Sequence, residues 1–237
     1  AFADLYPPYD ATLTKNLRDA GAIILAKTQL TELANWIASG MPGNYNGLNG
    51  YGMNPWDPRR DPRDANFDGR PVLNTGGSSS GVGTSVSFWA GNVGTETSGS
   101  ILSPAQQNML VGIKPTVGRV SRWGVIPITA DQDTPGPMTR TVADAALLLS
   151  AMAAVDPADP EGPAATGKVL ADYTTVLKAD GLAGKRFGVV RQAMGYHPDV
   201  DAAMGKAIST LTAAGATVVD VRIPTYNRWG DAENDVL

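Results

Sequence analysis

The apolar and polar positions of the chain divide it into helix-like and strand-like segments. Residues Ala11 to Ala20 place Leu13, Leu17 and Ala20 on one helical face, and Gly21 follows as a stop signal. Ala22 to Ala26 is a short apolar run, which predicts a buried strand ending at Lys27. Thr141 to Met152 predicts a helix with Thr141 as N-cap and Asp144 three residues on. Its sides are almost wholly apolar, so burial is expected. Further on, Lys185 to Arg191 and Ala216 to Val221 are strand-like and Val200 to Ala213 is helical. Strand, helix, strand at this spacing predicts a βαβ unit, hence an α/β protein with a buried sheet.

Two segments lack such periodicity. Asp156 to Gly167 is rich in Pro, Ala and Gly and is expected to be a surface connection. Asn54 to Pro71 is charged and interrupted by proline, and predicts a solvated loop. Its place between Lys27 and the serines discussed below also makes it a candidate wall or lid. Asp64 to Gly69 opens like a calcium loop, but the acidic twelfth ligand would fall at Thr75, which disfavours calcium.

Composition narrows the chemistry. The 237 residues are 43% hydrophobic and 18% charged, as in a soluble globular protein. A net charge of -4 supplies no basic patch for nucleic acid and no polybasic membrane signal. No run approaches the roughly 18 apolar residues of a membrane span. There is no cysteine, which excludes disulfides and thiol catalysis. The single histidine excludes an all-His metal site, so no metal is expected. No cofactor is expected either: neither Gly81-Val82-Gly83 nor any G-K-[ST] completes a nucleotide motif. The opening Ala1-Phe2-Ala3-Asp4 has neither initiator Met nor leader, and the chain reads as the middle of a larger domain. Localisation stays undecided, with the cytoplasm slightly favoured and secretion compatible.

The densest chemical signal is Asn74 to Ala105, with eight serines and seven glycines in thirty-two residues. A flexible linker has that composition too. This stretch also carries Val86-Ser87-Phe88-Trp89-Ala90 and Ile101-Leu102, apolar anchors that predict a loop–helix–loop inside a core. Ser103-Pro104 predicts an N-cap and N1 pair, so a helix is expected just after Ser100. A serine hydroxyl needs a base to attack a carbonyl. His197 lies in Gly195-Tyr196-His197-Pro198-Asp199, which reads as a surface turn before a helix. Lysine is the remaining candidate, and Lys27 at the end of its apolar run is suitably placed. A lysine accepts a proton only when it is itself neutral, which requires burial or neighbouring positive charge. Taken alone, Lys27 reads as a surface residue capping a strand end.

The chain resembles the amidase signature family. The resemblance is carried by Gly76-Gly77-Ser78-Ser79-Ser80-Gly81, Gly94-Thr95-Glu96-Thr97-Ser98-Gly99-Ser100 and Gly112-Ile113-Lys114-Pro115-Thr116. The upstream Ala26-Lys27-Thr28 and downstream Asp133-Thr134-Pro135-Gly136-Pro137 complete five ordered motifs. Similarity is dense from residue 21 to 149. The resemblance implies an α/β amidase signature fold, a central mixed β-sheet covered by helices on both faces. Residues 1–237 would form part of one such domain, its N- and C-terminal portions lying outside the chain. It implies an amidohydrolase that cleaves a carboxylic amide through an acyl-serine, with Lys27 as base, Ser78 as bridging serine after a cis peptide bond, and Ser100 as nucleophile. The backbone N–H groups of Thr97, Ser98 and Gly99 would form the oxyanion hole. Such donors are worth about 3–4 kcal/mol each in other hydrolases. The expected partner is a small-molecule or peptide amide, together with the rest of the domain, and neither nucleic acid nor membrane.

Several positions depart from the family pattern. Ser80 and Ser98 replace glycines, Glu96 replaces the more usual Asp, and the spacing from Ser78 to Ser100 is slightly short around Phe88 to Asn92. The form G-T-E-T-x-G-S is closest to the bacterial peptide-amidase-like branch. The alternative is the glutaminase (A-type) subunit of a tRNA-dependent amidotransferase. That branch carries Arg in G-S-I-R to hold a carboxylate, whereas here the residue is Leu102. A non-catalytic module on the same scaffold is disfavoured by the presence of Lys27, Ser78 and Ser100.

Overall fold

The computed structural model describes residues 4–36, 42–63, 68–77 and 79–236. The chain forms two compact units, Ala1–Thr175 and Val176–Leu237.

In the first unit, helix α1 (Thr12–Asp19) precedes a small hairpin of β1 (Tyr45–Asn46) and β2 (Gly50–Tyr51). There follow α2 (Val82–Ser85), β3 (Gly91–Glu96), α3 (Leu102–Gln107), β4 (Val111–Gly112), β5 (Thr134–Thr139) and α4 (Val142–Met152). Strands β3, β5 and β4 form an antiparallel sheet in that order, with β5 buried along its whole length. Pro135 and Pro137 are unusual in a central strand because they cannot donate to a ladder. They are tolerated because β4 covers only Met138 and Thr139, leaving most of β5 paired to β3 alone.

Helix α4 is capped as expected, with the Thr141 hydroxyl accepting from Asp144 N at 3.0 Å. It buries Ala146, Leu149 and Met152 in a core with Leu13, Leu17, Val120 and Tyr173. Its burial is one-sided rather than complete, since Val142 and Leu147 are exposed. Ala20, expected on the buried face of α1, is also exposed. Gly21 ends α1 at φ +86°, where Ala22 N donates to Leu17 O.

Two expectations need correction. Residues Ala22 to Ala26 form no strand, and Ile23 and Leu25 are 84% and 65% exposed. An apolar run becomes a buried strand only when a neighbouring strand takes up its backbone groups, and none does so among the described residues. The second, that 156–167 is a surface connection, holds for most of its residues, which are exposed, but not for Asp156, Asp159, Gly162 and Ala165, which are buried. Asp159 is fully buried and pairs with Arg122 at 2.7 Å, and Asp156 accepts from the Ser121 hydroxyl at 2.6 Å. A Cβ on Gly162 would stand 1.9 Å from the Asp156 carbonyl, so this turn requires glycine. The loop 54–71 is solvated as predicted, with Asp57–Arg59 and Asp61–Arg63 pairs on its surface. Residues 64–67 of the calcium-like segment lie outside the described residues.

The second unit contains the expected βαβ arrangement, but its strands are exposed or half-buried rather than part of a buried sheet. Strand β6 (Arg186–Val190) leads to α5 (Pro198–Ala213) and β7 (Thr217–Val221), and α6 (Trp229–Val236) follows. Strands β6 and β7 pair in parallel, Arg186 opposite Thr217 and Val190 opposite Val221. His197 is the N-cap of α5, its ring Nδ1 accepting from Asp199 N at 3.2 Å. Helices with antiparallel and parallel strand pairing make the chain α/β.

Candidate active site

Ser100 lies on the turn between β3 and α3. Gly99 turns the backbone at φ +80°, and Ser103 N donates to Gly99 O at 2.8 Å. Helix α3 starts with Ile101 as its N-cap. Ser103 and Pro104 therefore lie inside the first turn, not at the cap as predicted. The capping chemistry comes from Glu96, the last residue of β3. Its buried carboxylate Oε2 accepts from Ile101 N at 2.7 Å and from Leu102 N at 2.8 Å. These are N–H groups without intrahelical partners, and a carboxylate there also meets the positive end of the helix dipole.

The serine loop packs against this turn because it has no side chains in the way. A Cβ on Gly76 would stand 2.3 Å from Pro104 Cα, and one on Gly77 would stand 2.7 Å from Ser100 Cα and 3.3 Å from Ser100 Oγ. Ser79 fixes the loop to the sheet. Its buried hydroxyl accepts from Thr95 N at 3.1 Å and donates to Thr95 O at 3.2 Å. Two buried amides support the loop from beneath. Asn108 donates to Thr75 O and Pro104 O at 2.8 Å each, and Asn54 donates to Asn74 O and Gln107 O at 3.0 Å each.

The other expected site residues are placed as follows. Thr97 and Gly99 are half-buried and Ser98 is exposed. The Thr97 hydroxyl donates to Asp133 Oδ1 at 2.5 Å. Ser78, and with it the expected cis bond, lies outside the described residues. Lys27 is exposed and lies in no helix or strand, rather than being enclosed at a strand end. The residues just after it, Thr28 to Thr31, line a cavity of about 320 Å³ together with Gly77, Ser79 and Trp89. That cavity lies on the serine-loop side and includes neither Lys27 nor Ser100, so its size alone does not mark the chemistry. None of the described residues of the 54–71 loop lines it. Among the described residues no group of three or more His, Asp or Glu side chains could hold a metal.

The 86–90 segment differs from its expected role as a set of core anchors. Ser87 turns at φ +63° and Phe88 is 74% exposed. Trp89 packs across Gly83, and its indole N–H donates to Asn92 Oδ1 at 2.7 Å. Arg140 then donates to the carbonyls of Thr84 and Trp89, holding the short turn closed.

A family model described as Amidase matches residues 1–231. The chain belongs to the amidase family. It is 38% identical over 225 residues to the A-type subunit of glutamyl-tRNA(Gln) amidotransferase from Thermosynechococcus vestitus, covering 93% of this chain and 42% of that protein. Its fold superimposes on native peptide amidase from Stenotrophomonas maltophilia with a TM-score of 0.82, at 39% identity, covering 96% of this chain and 45% of that one. The A-type glutamyl-tRNA(Gln) amidotransferase subunit from Thermotoga maritima gives a TM-score of 0.72 at 26% identity, covering 96% of this chain and 46% of that one. The chain thus spans less than half the length of the amidase relatives it matches.

Sequence reasoning missed the cap formed by Glu96, the tie from Asp133 to Thr97, and the supporting amides of Asn54 and Asn108. For Glu96 a signal existed: it lies four residues before the candidate nucleophile of this amidase chain, where the family usually has Asp. The asparagines carried no periodic signal.

Proposed function

We propose that the full-length protein carrying this chain is an amidohydrolase that cleaves a carboxylic amide through an acyl-Ser100 intermediate. Lys27 is the base, Ser78 relays its effect, and the backbone N–H groups of Thr97, Ser98 and Gly99 receive the carbonyl oxygen. The observation that carries this reading is the contact between the two serine motifs. Gly77 abuts Ser100 so closely that any side chain would collide with it, which supports one site for the serine loop and the Ser100 turn. Family membership and the similarity to peptide amidase support the same reading.

The alternative is a glutaminase subunit, favoured by the names of the sequence relatives. Leu102, two residues after Ser100, counts against it, because an apolar half-exposed side chain cannot pair with the carboxylate of free glutamine. Treating the full-length protein with a fluorophosphonate and mapping the adduct by mass spectrometry tests the nucleophile. We expect modification of Ser100; an adduct on Ser78 or Ser79 instead overturns the assignment. Comparing hydrolysis of C-terminal peptide amides with that of glutamine separates the two readings. Faster turnover of glutamine would favour the glutaminase.

A further inference from the structure

We infer that Asp133 is a positioning residue for the oxyanion-forming segment, an inference that rests on the reading of Ser100 as nucleophile. Asp133 is buried and immediately precedes β5, the central strand of the sheet. Its Oδ2 accepts from Ile128 N at 2.7 Å and Thr129 N at 3.1 Å. Those two bonds would be enough for a residue that only closes its own turn. The second oxygen, Oδ1, is committed elsewhere, to the hydroxyl of Thr97 thirty-six residues away. A hydroxyl donating to a carboxylate is among the stronger hydrogen bonds of proteins.

Thr97 is the first residue beyond β3 and the first of the three proposed oxyanion donors. At the far end of the same turn, the Glu96 carboxylate holds the N–H groups of Ile101 and Leu102. The segment 97–100 is therefore fixed at both ends by buried carboxylates, one at the end of β3 and one at the start of its partner β5. Backbone donors assist catalysis only when aimed beforehand at the position the oxyanion will take. Asp133 touches none of the reacting atoms; it acts by holding Thr97, so that the donors need no rearrangement during the reaction.

The test uses Thr97→Val, Thr97→Ser, Asp133→Ala and the Thr97→Val/Asp133→Ala double variant of the full-length protein. Each is assayed for kcat, KM and the rate of fluorophosphonate acylation. Removing one oxyanion donor elsewhere costs about 10²–10³ in kcat, and mispositioning such donors should cost at least about tenfold. We expect Thr97→Val and Asp133→Ala to lower kcat and the acylation rate by that margin while KM changes less than about threefold. Thr97→Ser, which keeps the hydroxyl, should restore both rates to within about threefold of the original. The double variant should be no slower than the slower single variant, because both act through one bond. Original-like kcat and acylation in Thr97→Val, or losses that multiply in the double variant, overturn the inference. If Asp133→Ala does not fold, the Val and Ser variants at position 97 decide alone. Failure of the unaltered protein to be acylated at Ser100 removes the underlying reading instead. Normal acylation of the unaltered protein with an unaffected Thr97→Val removes only the role of Asp133.

Discussion

The turn that carries Ser100 and the segment that carries Lys27 belong to the same compact unit yet differ completely in enclosure. Around Ser100, backbone donors meet Glu96, Gly77 fits against the serine's own backbone, and Ile101 is fully buried. Around Lys27, Ile23 and Leu25 face water and no described strand lies alongside. The run before Lys27 is the more apolar of the two in sequence, yet it is the exposed one. Enclosure follows from whether partners for the backbone and the apolar face are at hand, and hydrophobicity only makes a segment eligible for it.

The sharpest way to break this contrast is to alter Lys27 itself. An exposed residue should leave stability within about 0.5 kcal/mol when removed. As the proposed base it should still cost about 10²–10⁴ in turnover. Lys27→Ala in the full-length protein is therefore expected to lose activity without loss of melting temperature. Lys27→Arg should fail too, since a guanidinium stays protonated. Near-normal turnover of Lys27→Arg would make Lys27 a structural residue.

A second variant probes the enclosed side through its buried ion pair. Arg122 and Asp159 join at 2.7 Å with Asp159 wholly buried, and removing one partner of such a pair typically costs about 3–5 kcal/mol. Burial opposes ionisation of Asp159, but hydrogen bonds from Arg122 more than offset it and hold the carboxyl below the usual carboxylate range. A carboxyl lowered in the folded state contributes stability at pH above its unfolded value of about 4, and that contribution fades as the pH falls through this value toward the folded one. Asp159→Asn should lower the denaturant midpoint at neutral pH and flatten its fall in acid. An unchanged acid limb would show that the pair contributes little.

The smallest expected effect is at Glu96. Glu96→Ala leaves the N–H groups of Ile101 and Leu102 without their acceptor, at a cost of about 1–3 kcal/mol. The melting temperature should drop and backbone exchange at the start of α3 should speed up. Unchanged exchange there would mean that water replaces the carboxylate without penalty.

These differences also mark how far sequence reading reached. Thr141 as a cap, Gly21 as a stop and the parallel pair β6–β7 were legible because each depends on residues close in sequence or on a single periodicity. That the two serine motifs share one site was implied by the resemblance to the amidase signature family, but the contact of Gly77 with Ser100 was not itself legible in the sequence. The Lys27 strand was misread because a strand is a property of a pair, and periodicity describes only one member. The 156–167 segment is mostly exposed, as its Pro and Gly content implies, but that content gave no sign of its buried anchors Asp156 and Asp159. Asp159 shows that a single polar residue of an exposed, irregular segment is buried when it finds charged and backbone partners.

The bond between Thr97 and Asp133 also sets an order in time. Its partners lie thirty-six residues apart. At the usual pace of synthesis, about 5–20 residues per second, the first is made roughly 2–7 s before the second. Among the described residues β3 pairs with β5 alone, which follows Asp133, so the Ser100 turn waits for that pairing at least as long. The nascent chain thus carries its serine motifs well before it can brace them, and the brace arrives with the strand that closes the sheet.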